Sequence, residues 1–301
     1  MENIVLKIEN VTKKYGKKTI IDKLSLNIES GQVYGFLGPN GAGKTTTIKM
    51  IVGLINIDGG RILINNIDIV KNHKKAMKNV GAIVESPDLY KYLSGLENIK
   101  LYSRMHNISK DRVNEIIKFL ELEEVIKDKV KTYSLGMKQR LGLGVALLHK
   151  PRLLILDEPT NGLDPAGIKK LRDMLKKLAH KENVAVFISS HMLNEVQIMC
   201  DKAAIIDKGK LIRTYDINNS QEVNNVYILK VSNIEKSIEI LKDICICKVY
   251  DNDIIIKYNE KISEVVKKLI NNDIEVYSFN SKQNSLEDEF LKITGGVEEH
   301  G

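Results

Sequence analysis

At 301 residues the sequence is too long for one minimal module and fits two domains of about 100–200 residues each. Apolar residues make up 43% of it and charged residues 28%, near the averages of soluble globular proteins, which excludes a disordered, collagen-like or coiled-coil chain. The formal charge of +7 is compatible with nucleic acid, an anionic membrane surface, a phosphorylated ligand or no such partner, and the total alone selects none of them.

Along the chain, the start MENIVLKIEN places acidic Glu2 and alternating apolar residues where a secretory leader would carry positive charge and then a long apolar block, so a cytoplasmic chain is expected. Strand-like runs follow at Gln32–Leu37, Val80–Val84, Leu153–Leu156, Val184–Ser189 and Ala203–Ile206, with helical periodicities between several of them. That alternation predicts an α/β fold, a largely parallel sheet with helices packed on it. The longest apolar windows, Leu141–Leu148 and Leu153–Leu156, fall well short of the roughly 18 residues of a membrane span. No segment of its own in the bilayer is expected.

All five prolines precede position 166, and only Gly295, Gly296 and Gly301 follow position 210. Charge changes at the same place, from 35 basic and 23 acidic side chains in 1–210 to 11 and 16 in 211–301, a balance of +12 against −5. With the polar, turn-forming INNSQEVNN, this predicts a first domain over 1–215, a linker at 216–225 and a small domain over 226–301. The small domain reads strand Val226–Val231, helix Ile234–Leu241, strands Ile244–Tyr250 and Asp253–Tyr258, helix Glu260–Ile270 and strand Ile274–Phe279, with a short helix over Leu286–Ile293. The order βαββαβ is an α+β, ferredoxin-like pattern. Cys200, Cys245 and Cys247 are odd in number and lack zinc spacing, so they read as reduced thiols in a core.

Chemistry concentrates in the first domain. VYGFL runs into GPNGAGKT (Gly38, Pro39, Asn40, Gly41, Ala42, Gly43, Lys44, Thr45), and Thr46 opens the helical stretch TTIKMIVGL. This is G-x-x-x-x-G-K-[ST] in its strand–loop–helix context. Glycines at 38, 41 and 43 let the backbone turn its N–H groups onto a phosphate chain at the positive end of the helix. Lys44 would reach the β and γ phosphates and the Thr45 hydroxyl would take a place on Mg²⁺, so the chain is expected to bind a nucleoside triphosphate. In LLILDEP, Asp157 and Glu158 stand at the carboxyl end of an apolar strand, where ligands bind in an open parallel sheet. There Asp157 can hold the Mg²⁺ water shell and Glu158 can polarise an attacking water. Ser134 is a plausible N-cap for the helix that follows, whose N-terminal N–H groups would make a second anion site.

Taken in order, these residues resemble the ATP-binding subunits of ABC transporters, over about residues 1–215. The resemblance implies a P-loop cassette with a mixed sheet, flanking helices and a helical subdomain, using ATP and Mg²⁺. It implies that Tyr15 in VTKKYG stacks on adenine, that Ser134 and Gly136 contact ATP bound to a second copy, and that Asn161–Pro165, with Asp164, forms the D-loop. It makes Glu158 and His191, in FISSH, the catalytic pair. Two departures stand out. The signature, commonly Leu-Ser-Gly-Gly-Gln, reads Tyr133-Ser134-Leu135-Gly136-Met137, and Glu85 in GAIVESPDLY replaces the usual Mg²⁺-touching Gln.

That Glu, the SLGM signature and a C-terminal extension resemble the branch that exports bacitracin and lantibiotics, giving resistance or immunity. The implied partners are a second copy in an ATP-sandwich homodimer and separate transmembrane permease subunits, docked near Glu85 and the helical stretch Leu93–Leu122. The implied location is peripheral, on the cytoplasmic face of the membrane. Cassette ATPases that act on DNA or ribosomes usually carry long coiled coils or two tandem cassettes; one P-loop and no sustained heptad point away from nucleic acid. Intact Glu158 and His191 point away from a non-hydrolytic, regulatory ATP-binding subunit.

Overall fold

The computed structural model describes residues 3–217, 226–242, 244–250, 253–257, 263–281 and 290. Contacts divide the chain into two units, Met1–Ile217 and Asn218–Gly301. The first begins with strands β1 (Ile4–Tyr15), β2 (Lys18–Glu29) and β3 (Val33–Leu37), then helix α1 (Lys44–Ile51), β4 (Gly59–Ile64), β5 (Ile67–Asp68), α2 (His73–Met77) and β6 (Val80–Ile83). Three helices follow, α3 (Gly95–Met105), α4 (Lys110–Phe119) and α5 (Leu135–Leu147). The unit closes with β7 (Leu153–Asp157), α6 (Pro165–Glu182), β8 (Ala185–Ser190), α7 (Leu193–Met199), β9 (Lys202–Asp207) and β10 (Lys210–Asp216).

Two sheets result. The six-stranded sheet has the order β10-β9-β3-β8-β7-β6, parallel except for the antiparallel edge strand β10. Its central strands β3, β7 and β8 are buried at every position, which is why they read as continuous apolar runs. The second sheet is antiparallel, β2-β1-β4-β5, and sequence reasoning did not find it. Its long strands are interrupted at Asn10 and Lys23, where φ is 49° and 50°, and the β1–β2 register shifts around Val11. Such bulges reset the two-residue alternation that marks a half-buried strand.

The sheets share one core. Leu6, Ile8, Leu24 and Ile62 of the antiparallel sheet join Phe36, Ile155 and Phe187 of the parallel one and Ile48 and Ile51 of α1. The Phe36 and Phe187 rings pack 5.3 Å apart, and each fully buried apolar side chain contributes about 1.5–3 kcal/mol. Helices α3, α4 and α5 pack on one another as a helical subdomain, and α5 also touches β6. Their starts are set by side chains: Ser94 and Glu97 form a reciprocal capping box on α3, while Ser109 and Ser134 cap α4 and α5. At α6, Asp164 is the N-cap, Pro165 opens the helix, and Asn183, at φ 56°, ends it. Among the described residues no helix is long and apolar enough to cross a membrane.

The second unit comprises β11 (Val226–Val231), α8 (Ile234–Leu241), β12 (Ile246–Tyr250), β13 (Asp253–Lys257), α9 (Ser263–Ile270) and β14 (Val276–Ser281). Its antiparallel sheet has the order β12-β13-β11-β14, the strand order of the ferredoxin-like βαββαβ fold. Leu229, Leu241, Ile254, Ile256, Val265 and Leu269 form its core. The expected helix over Leu286–Ile293, apart from Phe290, and most of the expected linker lie outside the described residues. All three cysteines are free thiols; burial pushes Cys200 far up and Cys245 up to about 12.

Candidate active site

The site lies at the carboxyl ends of β3, β8 and β7, which are neighbours in the parallel sheet. β3 delivers the chain to Gly38, where any Cβ would stand 2.4 Å from the Ile206 carbonyl oxygen, so only glycine fits. The loop then enters α1 through Gly43, the N-cap residue, at φ 107°. That conformation is closed to other residues and turns the loop directly into the helix. Ala42 and Gly43 are buried, Thr45 and Thr46 half-buried, and Asn40 exposed. The Lys44 ammonium folds over the loop, donating to the carbonyl oxygens of Gly38 at 2.7 Å and Pro39 at 3.2 Å.

β7 supplies the facing carboxylates. Asp157 is its last residue and is buried; Glu158 leaves the strand in a left-handed conformation, φ 48°. The Glu158 carboxylate is held from both sides, with Lys44 Nζ 3.2 Å from Oε1 and His191 Nδ1 2.8 Å from Oε2. Between them stands Ser189, whose hydroxyl donates to Asp157 Oδ1 at 2.6 Å and accepts from the Glu158 backbone N–H at 2.9 Å. A carboxylate gripped by a cation and an imidazole keeps a fixed direction, which is what a group that orients water and accepts its proton requires.

Asp157 makes no ion pair among the described residues; its buried carboxyl accepts from the Ser189 hydroxyl, and it acts electrostatically on Lys49 of α1. A carboxylate and a threonine hydroxyl are the hard oxygen donors that Mg²⁺ takes, so Asp157 and Thr45 fit that ion.

The other expected residues stand apart. Among the described residues, no hydrogen bond or ion pair joins Tyr15, Ser134, Gly136 or Asp164 to the Lys44–Glu158–His191 group. Tyr15 ends β1, 54% exposed, with the Lys13 ammonium 5.3 Å from its ring centre. The Ser134 hydroxyl accepts from the Met137 N–H at 3.2 Å, and Gly136 lies against Leu163. Asp164 Oδ1 accepts from the Gly167 N–H at 3.0 Å. Glu85, at φ 66° just after β6, turns its exposed carboxylate to Lys49 Nζ, 2.7 Å away on α1. That contact holds the Lys49 ammonium above its usual range. The pair sits on a cleft of about 430 Å³ lined also by Pro87, Tyr102, Gly142 and Val145.

Lys49, which pairs with Glu85, and Ser189, which holds Asp157 and the Glu158 backbone, were missed by sequence reasoning. Two adjacent hydroxyls before the histidine of FISSH were the one available signal.

Residues 21–161 match the ABC transporter family. An uncharacterized ABC transporter ATP-binding protein of Bacillus subtilis, YhcH, is 46% identical over 98% of this chain and 97% of its own length. The chain belongs to the ABC transporter ATP-binding proteins. It is therefore an ATPase subunit of the ABC class, and the cassette binds ATP. The bacitracin transport ATP-binding protein BcrA of Bacillus licheniformis is 39% identical over 97% of this chain and 98% of its own length. The solved dimeric structure of an ATP-binding cassette bound to ADP and Pi, in a post-hydrolysis state, overlays 70% of this ABC subunit and 98% of that chain, at 27% identity and a TM-score of 0.63.

Proposed function

We propose that this ATPase subunit powers export of a peptide antibiotic of the bacitracin or lantibiotic class, and so confers resistance, through separate transmembrane permease subunits at the cytoplasmic face of the membrane. The observation that carries this reading is the whole-length similarity to a bacitracin transport protein, which extends through the second unit as well as the cassette. Glu85 and the Ser134–Met137 signature, departures from the common family pattern, support it.

In the proposed cycle the backbone from Gly38 to Thr46 cradles the phosphates, Lys44 neutralises the β and γ groups, and Tyr15 stacks on adenine, exchanging the Lys13 ammonium for a base. Thr45 and Asp157, joined by Glu85 if it leaves Lys49, would hold Mg²⁺, which would supply charge neutralisation to the phosphates. Glu158 orients the attacking water and takes its proton, while His191 steadies that carboxylate and contacts the γ phosphate. Residues 1–215 form the cassette, 216–225 the linker and 226–301 an accessory domain.

ATP binds between two copies, with Ser134 and Gly136 of one closing on the phosphates held by the other and Asp164 at the seam. The geometry that supports this is the distribution of the site over two surfaces: Lys44, Glu158 and His191 form one group, and the capped start of α5 makes none of its contacts. The cleft beside Glu85 and α3 is the proposed seat for the permease.

The test is resistance in a sensitive host expressing this chain with its neighbouring permease. The reading expects protection against bacitracin or a lantibiotic that Glu158→Gln abolishes and Glu85→Gln diminishes. Equal sensitivity with and without the intact pair of proteins would refute the antibiotic assignment.

A further inference from the structure

The last two residues of β8, Ser189 and Ser190, reach different partners. Ser189 holds Asp157 and the Glu158 backbone. The Ser190 hydroxyl donates to Glu195 Oε2 at 3.0 Å and accepts from the Met192 backbone N–H at 3.0 Å. The same oxygen of Glu195 takes a hydrogen bond from the Thr160 hydroxyl. Glu195 is only 8% exposed, and among the described residues no cation pairs with it. Thr160 and Ser190 are nearly sealed from water, at 3% and 1%.

A buried carboxylate without a counter-ion is costly unless hydroxyls or N–H groups satisfy it. Here both recorded donors come from segments that carry the chemistry. Thr160 stands two residues past Glu158 and opens the loop leading to Asp164, and Ser190 immediately precedes His191. One carboxylate oxygen on α7 therefore ties the histidine segment to the loop that carries Asp164. Neither segment can shift without breaking a charge-assisted hydrogen bond in a dry site.

We infer that Glu195 is a positioning residue that clamps the His191 segment to the 159–165 loop through Ser190 and Thr160, so that the two move as one body during hydrolysis. The clamp works by accepting hydrogen bonds from Thr160 and Ser190, and it rests on the proposed roles of Glu158 and His191. Glutamine retains a carbonyl oxygen in the same place and preserves both contacts, whereas alanine removes them and leaves two buried hydroxyls without that acceptor.

The experiment compares Glu195→Gln, Glu195→Ala, Thr160→Val and the Thr160→Val/Glu195→Ala pair with Glu158→Gln and His191→Ala in steady-state ATPase, with fluorescent-ATP binding and thermal melts in parallel. Glu195→Ala is expected to lower kcat about 10- to 100-fold, the scale of a small misplacement of reacting groups. KM and ATP affinity should stay within about twofold, because the P-loop does not depend on the clamp. Glu195→Gln should recover kcat to within about threefold, and the double variant should be no worse than the poorer single one. Wild-type kcat in Glu195→Ala, equal losses in Glu195→Gln and Glu195→Ala, multiplicative effects in the double variant, or loss of ATP binding together with kcat would each overturn the clamp. Full activity in Glu158→Gln and His191→Ala would instead overturn the catalytic assignment beneath it, which separates the two failures.

Discussion

Replacing Ser189 with alanine removes a single oxygen and two hydrogen bonds. The hydroxyl donates to the buried Asp157 carboxylate at 2.6 Å and accepts from the Glu158 N–H at 2.9 Å, and the residue itself is fully buried. Water cannot substitute there without a cavity. The bond to a charged acceptor is worth about 1.5–3 kcal/mol and the one from the backbone about 0.5–1.5 kcal/mol, so a loss of about 2–4 kcal/mol is expected. For a cooperative unit of this size, about 2–4 °C per kcal/mol translates that into a fall in Tm of about 5–15 °C. Circular dichroism melts measure it directly. The ATPase rate should fall as well, since the end of β7 loses the strut that aims Glu158. A melt within about 1 °C of wild type, with unchanged turnover, would refute the claim that this hydroxyl organises the two acids.

Three further outcomes follow from the same geometry. Gly38→Ala forces a methyl against the Ile206 carbonyl oxygen and the Ile206 side chain, so ATP binding should weaken by at least about 10-fold in equilibrium titrations. His149 is held below its ordinary value near 6.5 by burial, with His106 stacked on it and Arg112 nearby adding to the shift and the hydrogen bond to the Val80 oxygen opposing it. Neutral His149 therefore favours the fold, that contribution is complete above the unfolded value, and it is lost as pH falls through the window beneath. Urea midpoints measured from about pH 7 to 5 should drop less steeply in His149→Gln than in wild type. The Lys49–Glu85 pair is half-buried at Lys49 and exposed at Glu85, so solvent screens it and Lys49→Met should leave the melt within about 1 °C of wild type. A large destabilisation there would mean the pair is structural.

The residues proposed for the nucleotide machinery carry local signals in the sequence. GPNGAGKT carries strand end, turn and helix start in eight residues, and Asp157, Glu158 and His191 each follow an apolar run that forms a fully buried strand. The five parallel strands of the six-stranded sheet were found from similar short apolar runs. What escaped was non-local or irregular. β1 and β2 carry charged residues and bulges that interrupt their alternation. Lys49 lies 36 positions from Glu85, and Glu195 lies 35 from Thr160, so neither pairing has a local signature. The small domain was recognisable because its helices and strands alternate cleanly in hydrophobic period, and Leu229, Ile254 and Ile256 meet in its core.

The central claim is that Glu158, held between Lys44 and His191, performs the chemistry of ATP hydrolysis. Phosphate release by purified Glu158→Gln, measured beside ATP binding and gel filtration with ATP, tests it most directly. The account expects ATP affinity within about threefold of wild type, turnover lower by at least about 100-fold, and an ATP-dependent dimer that persists. Turnover at the wild-type rate in that variant would contradict it.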